Sequence, residues 1–273
     1  MHNKMGLKTT LMAGGSMMLV GGALVITGLS TGAKTSFTWD NGPKIVETHS
    51  LNKTFNNKDF KKVTIDSGSN SYVRIVRGDQ WQVSGKYFES NADLSTVNNE
   101  LKLALREPKN SVFGFKESDQ TAVVTVPYKV NLDDLNINTE GSGVKTQDVS
   151  AKNVTVHNNY GGVRLTKLTA QKINMQGEAG NYRLQDVTAD TIHVDSGDAY
   201  LKARNLTLKQ ASHVQGDNQE VVLRESHLPG IKVVNQDSSI YANGADQGDN
   251  DYLTGDQSKA LTIDGDETDV TIK

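Results

Sequence analysis

The chain has 273 residues, with 36% hydrophobic side chains, 25 glycines, no cysteine and a mean hydropathy of −0.50. The lack of cysteine excludes a disulfide framework, a thiolate metal site and a lipidated cysteine anchor, and a net charge of −3 argues against a general nucleic-acid binder, which carries a basic surface. The low apolar fraction favours a repetitive or sheet-rich chain over a thick globular core.

An uncharged, largely apolar segment near the start of the chain predicts a membrane span. Residues 11–29 contain no charged side chain and follow two lysines, and a helix of about 1.5 Å per residue over this length crosses a bilayer core of roughly 30 Å. Because the basic residues precede the segment, we expect residues 1–10 in the cytoplasm, a single span at 11–30 and the rest outside the cell. The small residues at 31–33 resemble a cleavage site, so a removed signal peptide is the alternative.

The chain beyond the apolar segment is acidic and begins irregularly. Residues 1–33 hold two lysines and no acidic residue, so the remainder has 27 basic and 32 acidic side chains, a net charge of −5. Residues 31–60 are polar and Gly-containing, typical of a stalk or loose lead-in. Residues 61–130 show strand-like alternation with irregular spacing, which predicts a membrane-proximal β cap for the region that follows.

The strongest pattern is a repeat of nineteen residues within residues 131–273. In each copy, two apolar residues at alternate positions precede a polar turn and a second short alternating stretch. Seven copies share the pattern, the last three being residues 214–223, 233–242 and 263–272. The main apolar columns are Leu135, Val154, Ile173 and Ile192; Ile137, Val156, Met175 and Val194; Val144, Val163, Tyr182 and Leu201; Thr146, Leu165, Leu184 and Ala203; and Val149, Leu168, Val187 and Leu206.

This repeat predicts an all-β fold, a parallel β-helix or β-solenoid with rungs of about nineteen residues. Apolar residues two apart mark strands with one buried face. A single short strand pair is too small to bury that face, but stacked copies bury it because each strand pairs with its copies above and below. An antiparallel meander, whose hairpins also alternate, is the alternative.

The order of segments along the chain resembles that of a known bacterial family. A membrane segment leads to scattered strands, then to a strand ending in Val-Pro within TAVVTVPYKVNLDDLNINTEGSGV (121–144), and then to Gly-containing rungs. This arrangement, over about residues 60–273, is similar to the "putative adhesin" family of β-strand-repeat, membrane-anchored cell-surface proteins of unknown function. The resemblance implies a surface β-solenoid. Some members of that family belong to envelope stress-response operons of Gram-positive bacteria, and no catalytic residues come with the resemblance.

A basic stripe is the main candidate site. The residue after each post-turn apolar position should point outward, and it is basic in four successive copies that stack about 4.8 Å apart. Such a stripe suits an anionic envelope polymer, such as teichoic acid, or phospholipid head groups; the alternative is a solvated face that discourages aggregation. The residues are Lys145, Arg164, Arg183 and Lys202, with Arg204 and Arg224 in the neighbouring outward column.

Three further features are weaker candidates. The opposite outward column should place His193 beside His213, but two histidines without a third ligand make a poor metal site. The loop 244–257 is similar to a single copy of a calcium-binding β-roll nonapeptide, although an acidic surface loop is the alternative interpretation. Phe113 and Phe115 lie in a polar loop, where exposed aromatic side chains either contact a membrane or partner or fold back onto the cap.

The sequence shows no nucleophile elbow, phosphate loop, HExxH pair or paired carboxylates. We therefore expect a non-enzymatic, membrane-anchored extracellular β-solenoid without cofactor or metal, which acts in envelope interaction: surface attachment and adhesion, polymer or partner binding, or the sensing of envelope stress. Its expected partner is an anionic envelope polymer or a surface protein, and not a nucleic acid. The alternative is a carbohydrate-active β-helix enzyme acting on an envelope polysaccharide, which would carry acidic clusters on one outer face.

Overall fold

The computed structural model describes residues 36–39, 43–45, 48–88, 92–106, 112–114, 120–236, 239–248 and 251–273. Among these residues, no helix has the length and apolar character needed to cross a membrane. The predicted cytoplasmic tail and membrane segment, residues 1–30, lie outside the described residues.

The described residues form twenty-three strands and one 3₁₀ turn, Gln257–Lys259. The strands before the regular repeat are β1 (Ser36–Trp39), β2 (Pro43–Ile45), β3 (Thr48–Phe55), β4 (Lys62–Ser67), β5 (Ser71–Gly78), β6 (Trp81–Phe88), β7 (Ala92–Val97), β8 (Glu100–Leu105), β9 (Val112–Gly114) and β10 (Gln120–Pro127). The later strands are β11 (Leu132–Glu140), β12 (Gly143–Gln147), β13 (Ser150–Asn159), β14 (Gly162–Thr166), β15 (Thr169–Leu208), β16 (Ser212–Gln215), β17 (Asn218–Arg224), β18 (Gly230–Gln236), β19 (Ile240–Ala242), β20 (Ala245–Asp246), β21 (Tyr252–Gly255), β22 (Leu261–Asp266) and β23 (Thr268–Ile272).

These strands fall into two compact units. One unit contains β1, β2 and β9, which form a three-stranded antiparallel sheet. Phe113 lies on β9 and pairs through its backbone with Phe37, whereas Phe115 lies outside the described residues. The other unit contains the remaining twenty strands in one continuous sheet.

Parallel pairing between copies of the repeat builds a stack of rungs in the larger unit. Numbered by position in the stack, β11 and β12 form rung 3, β13 and β14 form rung 4, β15 provides rungs 5 and 6, and β16 and β17 form rung 7. The register is nineteen residues between rungs 3 and 5: Leu135 pairs with Val154, and Val154 pairs with Ile173. The predicted stacking is therefore present, and an antiparallel meander does not describe these rungs.

At both ends of the stack, the order of the rungs differs from the order along the chain. Strands β4 and β5 form rung 2, which lies between rung 3 and the pair β8 and β10, which form rung 1. At the other end, β22 and β23 form rung 8, which lies between rung 7 and rung 9, and rung 9 consists of the earlier strands β18 and β19. The repeat copy at residues 263–272 therefore lies between rung 7 and the copy at residues 233–242, although it comes after that copy in the chain.

Strands outside the regular repeat also join this stack. Residues 62–78, within the predicted cap, form the regular rung 2, and residues 48–55, within the predicted lead-in, form β3, which pairs antiparallel with β6. Antiparallel strands flank both ends: β7 and β6 lie beyond rung 1, and β21 and β20 beyond rung 9. This change of strand direction ends the parallel ladder. Another chain therefore finds no rung of the parallel ladder exposed for pairing at either end of the described stack.

The interior of the stack consists of the apolar columns that the repeat predicts. Every residue in those five columns is buried, with at most 2% of its surface exposed. Thr146 is the single polar member and is fully buried. Because side chains alternate along each strand, the residues between the buried positions necessarily form straight outward columns, and these columns carry the candidate sites.

Outward polar side chains are tied from one rung to the next. Several contacts join residues nineteen positions apart, such as Asp133 with Lys152 at 2.7 Å. Asp134 on rung 3 links three rungs, since its carboxylate lies 2.7 Å from Lys62 Nζ on rung 2 and accepts a hydrogen bond of 3.0 Å from Asn153 on rung 4. These hydrogen bonds lower the pKa of Asp134, and the bond to Asp134 raises the pKa of Lys62.

Replacing Asp134 with Asn should reduce the acid sensitivity of the fold. Because its pKa is lower in the folded chain, Asp134 stabilises the fold above its ordinary pKa of about 4, and this contribution is lost as pH falls through the folded value. We expect urea unfolding of the wild type to lose more stability between neutral and strongly acidic pH than unfolding of Asp134→Asn. Asp79→Asn, at an exposed site without an ion pair among the described residues, is the control and should keep the wild-type pH dependence; an equal change in both variants would contradict the prediction.

Candidate binding surface

The structure places the predicted basic stripe on one straight outward column and extends it by one residue. Lys145 pairs with Arg164, and Arg164 pairs with Arg183, each in parallel register. Lys202 occupies the same position in rung 6, and Arg74 of rung 2 pairs with Lys145. Five cations in five successive rungs, about 4.8 Å apart, give a stripe roughly 19 Å long. The stripe is hereafter Arg74, Lys145, Arg164, Arg183 and Lys202.

The stripe cations lack the carboxylate partner that several other cations of the stack have within the described residues. Lys62, Lys102, Lys152 and Lys209 each form a salt bridge with an aspartate on a neighbouring rung. None of the five stripe cations forms a salt bridge within the described residues; the guanidinium of Arg183 donates instead to the neutral Asn181 side chain at 3.2 Å. Like charges held side by side repel one another, so the stripe is an uncompensated positive field on an acidic chain.

The neighbouring column is only partly available. Arg204 pairs in register with Arg224, as predicted. However, the Arg204 guanidinium donates to both carboxylate oxygens of Glu225, at 3.0 and 3.1 Å, and these contacts raise the pKa of Arg204. This two-bond pairing satisfies the planar guanidinium. Arg204 is therefore neutralised within the chain, whereas Arg224 is exposed and forms no salt bridge among the described residues.

The stripe ends where the outward residue becomes neutral. Val123 of rung 1 pairs with Arg74, and Val222 of rung 7 pairs with Lys202. The sequence repeat identified four of the five cations but missed Arg74, which lies 71 residues before Lys145. The signal was present in the alternation of residues 72–75, since Arg74 stands between the buried Val73 and Ile75.

A shallow depression of about 460 Å³ lies along one side of the stripe. Tyr72 and Tyr160 line it, and Gly143 and Gly162 form part of its floor, each two residues before a stripe cation on the same strand face. Both tyrosines are exposed, with 40% of the surface of Tyr72 and 69% of that of Tyr160 accessible. The depression therefore combines aromatic side chains, a floor without side chains and a cationic edge.

A family model described as Toastrack DUF4097 matches residues 60–228, more than half of the chain. The chain belongs to this family. The match confirms the resemblance that the Val-Pro strand and the Gly-containing rungs carry. It covers rungs 1–7, including the whole stripe and the depression beside it, so these surfaces lie within the toastrack domain.

Three solved structures match most of the chain at low identity. A "putative adhesin" from Bacteroides fragilis is 15% identical, with a TM-score of 0.42, and the match covers 83% of this chain and 97% of that one. A "putative cell adhesion protein" from Clostridium sporogenes is 12% identical, with a TM-score of 0.36 and coverages of 83% and 99%. A "putative lipid binding protein" from Parabacteroides distasonis is 14% identical, with a TM-score of 0.38 and coverages of 84% and 96%. No curated protein matched the chain.

The remaining candidates lie elsewhere on the larger unit. His193 and His213 are direct neighbours as predicted, with stacked rings whose centroids are 5.9 Å apart. In the loop 244–257, Asp246 accepts a hydrogen bond from the Gly248 backbone, and Asp256 caps the 3₁₀ turn by accepting from Ser258. Among the residues that the structure describes, no group of three or more His, Asp or Glu side chains is arranged to hold a metal ion.

Proposed function

We propose that this toastrack protein is a non-enzymatic binding protein of the cell envelope, which holds an extended anionic polymer along the basic stripe. The observation that carries the proposal is the row of five cations on successive rungs without a carboxylate partner. Repulsion within the row is relieved when a polyanion lies along it. The rungs fix the cations at a constant spacing on a rigid sheet, so a straight polymer segment meets them without ordering any loop.

The distribution of acidic side chains supports binding over catalysis. A glycan-cleaving site needs a pair of carboxyl groups that face one substrate bond. In the stack, Asp66, Asp133, Asp134, Asp190 and Glu225 each lie in a salt bridge with a lysine or arginine. Those five carboxylates hold neighbouring rungs together and do not face one another across a substrate, so the enzymatic alternative would have to use Asp198 and Glu220, which line one depression.

We further propose that the protein is anchored in the cell membrane. Residues 11–29 anchor the chain in the cell membrane, with the N-terminus in the cytoplasm and the toastrack domain outside the cell. The stripe then meets polymers of the envelope such as teichoic acids. A surface protein with an acidic face is the other partner that this charge pattern would accept.

The test is charge reversal of four stripe residues in the full-length chain, purified in a polyoxyethylene detergent. At about 1 kcal/mol for each cation that faces an anionic surface, changing Lys145, Arg164, Arg183 and Lys202 to Glu should weaken retention on immobilised teichoic acid at least about a hundredfold. Wild-type binding should also fall as salt is raised, because exposed charges are screened.

The matched control reverses four exposed lysines that lie off the stripe: Lys58, Lys129, Lys172 and Lys232. This variant has the same net charge as the stripe variant and should bind like the wild type. Equal loss in both variants would show a response to net charge alone and overturn the proposal. Binding to anionic vesicles but not to teichoic acid would overturn the polymer as ligand in favour of lipid head groups.

A further inference from the structure

The backbone at Tyr160 is held in a conformation that a tyrosine does not favour. Its φ of +61° lies in the left-handed region, where Asn and Asp are enriched and bulky residues are rare. Twelve non-glycine residues adopt positive φ among the described residues, and the other eleven are Asn, Asp, Glu or Lys. An exposed aromatic side chain at such a position is a candidate for a role outside folding.

Tyr160 is also fixed in orientation. Its hydroxyl donates a hydrogen bond of 2.6 Å to Glu178, which raises the pKa of the tyrosine, and its backbone N–H donates to the carbonyl of Ala179. The side chain separates two depressions of about 460 Å³ each. The stripe cations Lys145, Arg164 and Arg183 line one, and Asp198 and Glu220 line the other. Only the depression that the stripe cations line suits an anion.

At Gly162 the floor of the cationic depression is open for no structural reason. A Cβ atom added at Gly162 would meet no heavy atom within 4 Å, and the φ of Gly162 lies outside the left-handed region. Packing and backbone conformation therefore both permit a side chain there. At Gly143 a Cβ would lie 2.7 Å from the ring of Tyr72, so that ring lies over the glycine and leaves no room for a side chain.

We propose that this depression binds a sugar ring of an anionic glycan, with the ring over Gly162 and its acidic group at the stripe. The proposal rests on the proposed function and names its ligand class. A pyranose presents weakly positive C–H bonds on one face, which pack on the negative face of an aromatic ring, and its carboxylate or phosphate pairs with a guanidinium. Arg164 follows Gly162 by two residues, about 6.6 Å along the strand, a distance that its side chain can span.

The experiment compares two polyanions of equal charge, an oligogalacturonate and a poly-glutamate, by titration calorimetry on the full-length chain in polyoxyethylene detergent. Two variants alter the depression but not the stripe: Tyr160→Asn removes the ring, and Gly162→Gln fills the floor. We expect each to weaken oligogalacturonate binding about threefold to tenfold and to leave poly-glutamate binding unchanged. Tyr128→Asn removes an exposed tyrosine outside the depression and should change neither.

Thermal unfolding separates recognition from a structural effect. Because Asn adopts the left-handed region more readily than Tyr, Tyr160→Asn should unfold at the wild-type temperature or above it while binding oligogalacturonate more weakly. If both variants weaken the two polyanions equally, or weaken neither, the sugar site is wrong and the stripe proposal stands. If the wild type binds poly-glutamate no better than the charge-reversed stripe variant, the proposed function itself fails.

Discussion

Removal of residues 260–273 is expected to release rung 9 together with rung 8. Rung 8 lies between rungs 7 and 9, so its loss removes the partner of β18 and β19 as well as its own strands. It also removes the buried Leu261, Ile263 and Val270, worth about 1.5–3 kcal/mol for each side chain. That loss is a large part of the roughly 5–15 kcal/mol by which a domain is stable.

The measurement is limited proteolysis combined with thermal unfolding of the truncated chain. We expect rapid cleavage within residues 230–248, which pair only weakly with the rest once rung 8 is gone, and a markedly lower unfolding temperature. Val270→Asp places a charge in rung 8 without shortening the chain and should increase amide exchange in both rungs 8 and 9. Leu253→Asp, at an exposed site on β21, is the control and should have little effect.

Stacking in chain order would give a different outcome. Rung 8 would then form the end of the stack, and its removal would leave residues 230–248 paired and resistant to protease. Continued protection of these residues in the truncated chain, or unchanged amide exchange of rung 9 in Val270→Asp, would contradict the arrangement of strands described above.

The nineteen-residue repeat predicts the interior of the stack well and its ends poorly, for a physical reason. Apolar spacing specifies which face of each strand is buried and the register in which two copies pair, and so it identified columns such as Ile137 and Val156. All copies share the same alternation of apolar positions and the same pattern of backbone hydrogen bonds, so apolar spacing does not specify which copy lies beside which. The chain forms rung 2 before rung 1 and rung 9 before rung 8, with the insertions at residues 79–99 and 243–260 between them, and apolar spacing does not record such a path.

The candidate site was likewise predictable in part. Four stripe cations follow directly from the repeat, but Arg74 joins them only because rung 3 pairs with rung 2 and not with rung 1, which precedes rung 3 in the chain. The pairing of Arg204 with Glu225 depends on side-chain conformation at the end of β17. Tyr160 is an ordinary tyrosine in the sequence, and only its positive φ and exposed ring distinguish it from the buried Tyr182.

Replacing Asn158 with Ala should cost about 2–4 kcal/mol of stability, the second large effect expected in this protein. Asn158 is fully buried at the corner of rung 4. Its side-chain oxygen accepts from the Thr139 hydroxyl at 2.6 Å and from the Gly161 N–H at 3.0 Å, and its amide donates to the Gly161 carbonyl at 3.1 Å. The substitution leaves the buried Thr139 hydroxyl and Gly161 N–H without these partners, which costs more than the bonds themselves contribute, whereas the Gly161 carbonyl keeps a hydrogen bond of 3.1 Å from the Asn181 N–H.

The same bonds connect stability to the proposed sugar site. They fix the backbone of Gly161, which connects Tyr160 in the wall of the depression to Gly162 in its floor. Their loss should therefore loosen the wall and the floor together. Urea unfolding measures the stability, and amide exchange of Gly161 measures the local opening, which should increase more than exchange in rung 6. Asn174→Ala, on the outward column of rung 5, is the control and should change stability by no more than about 0.5 kcal/mol. If the two alanine variants unfold alike, the buried amide does not hold this corner, and the geometry of the depression must depend on the glycines alone.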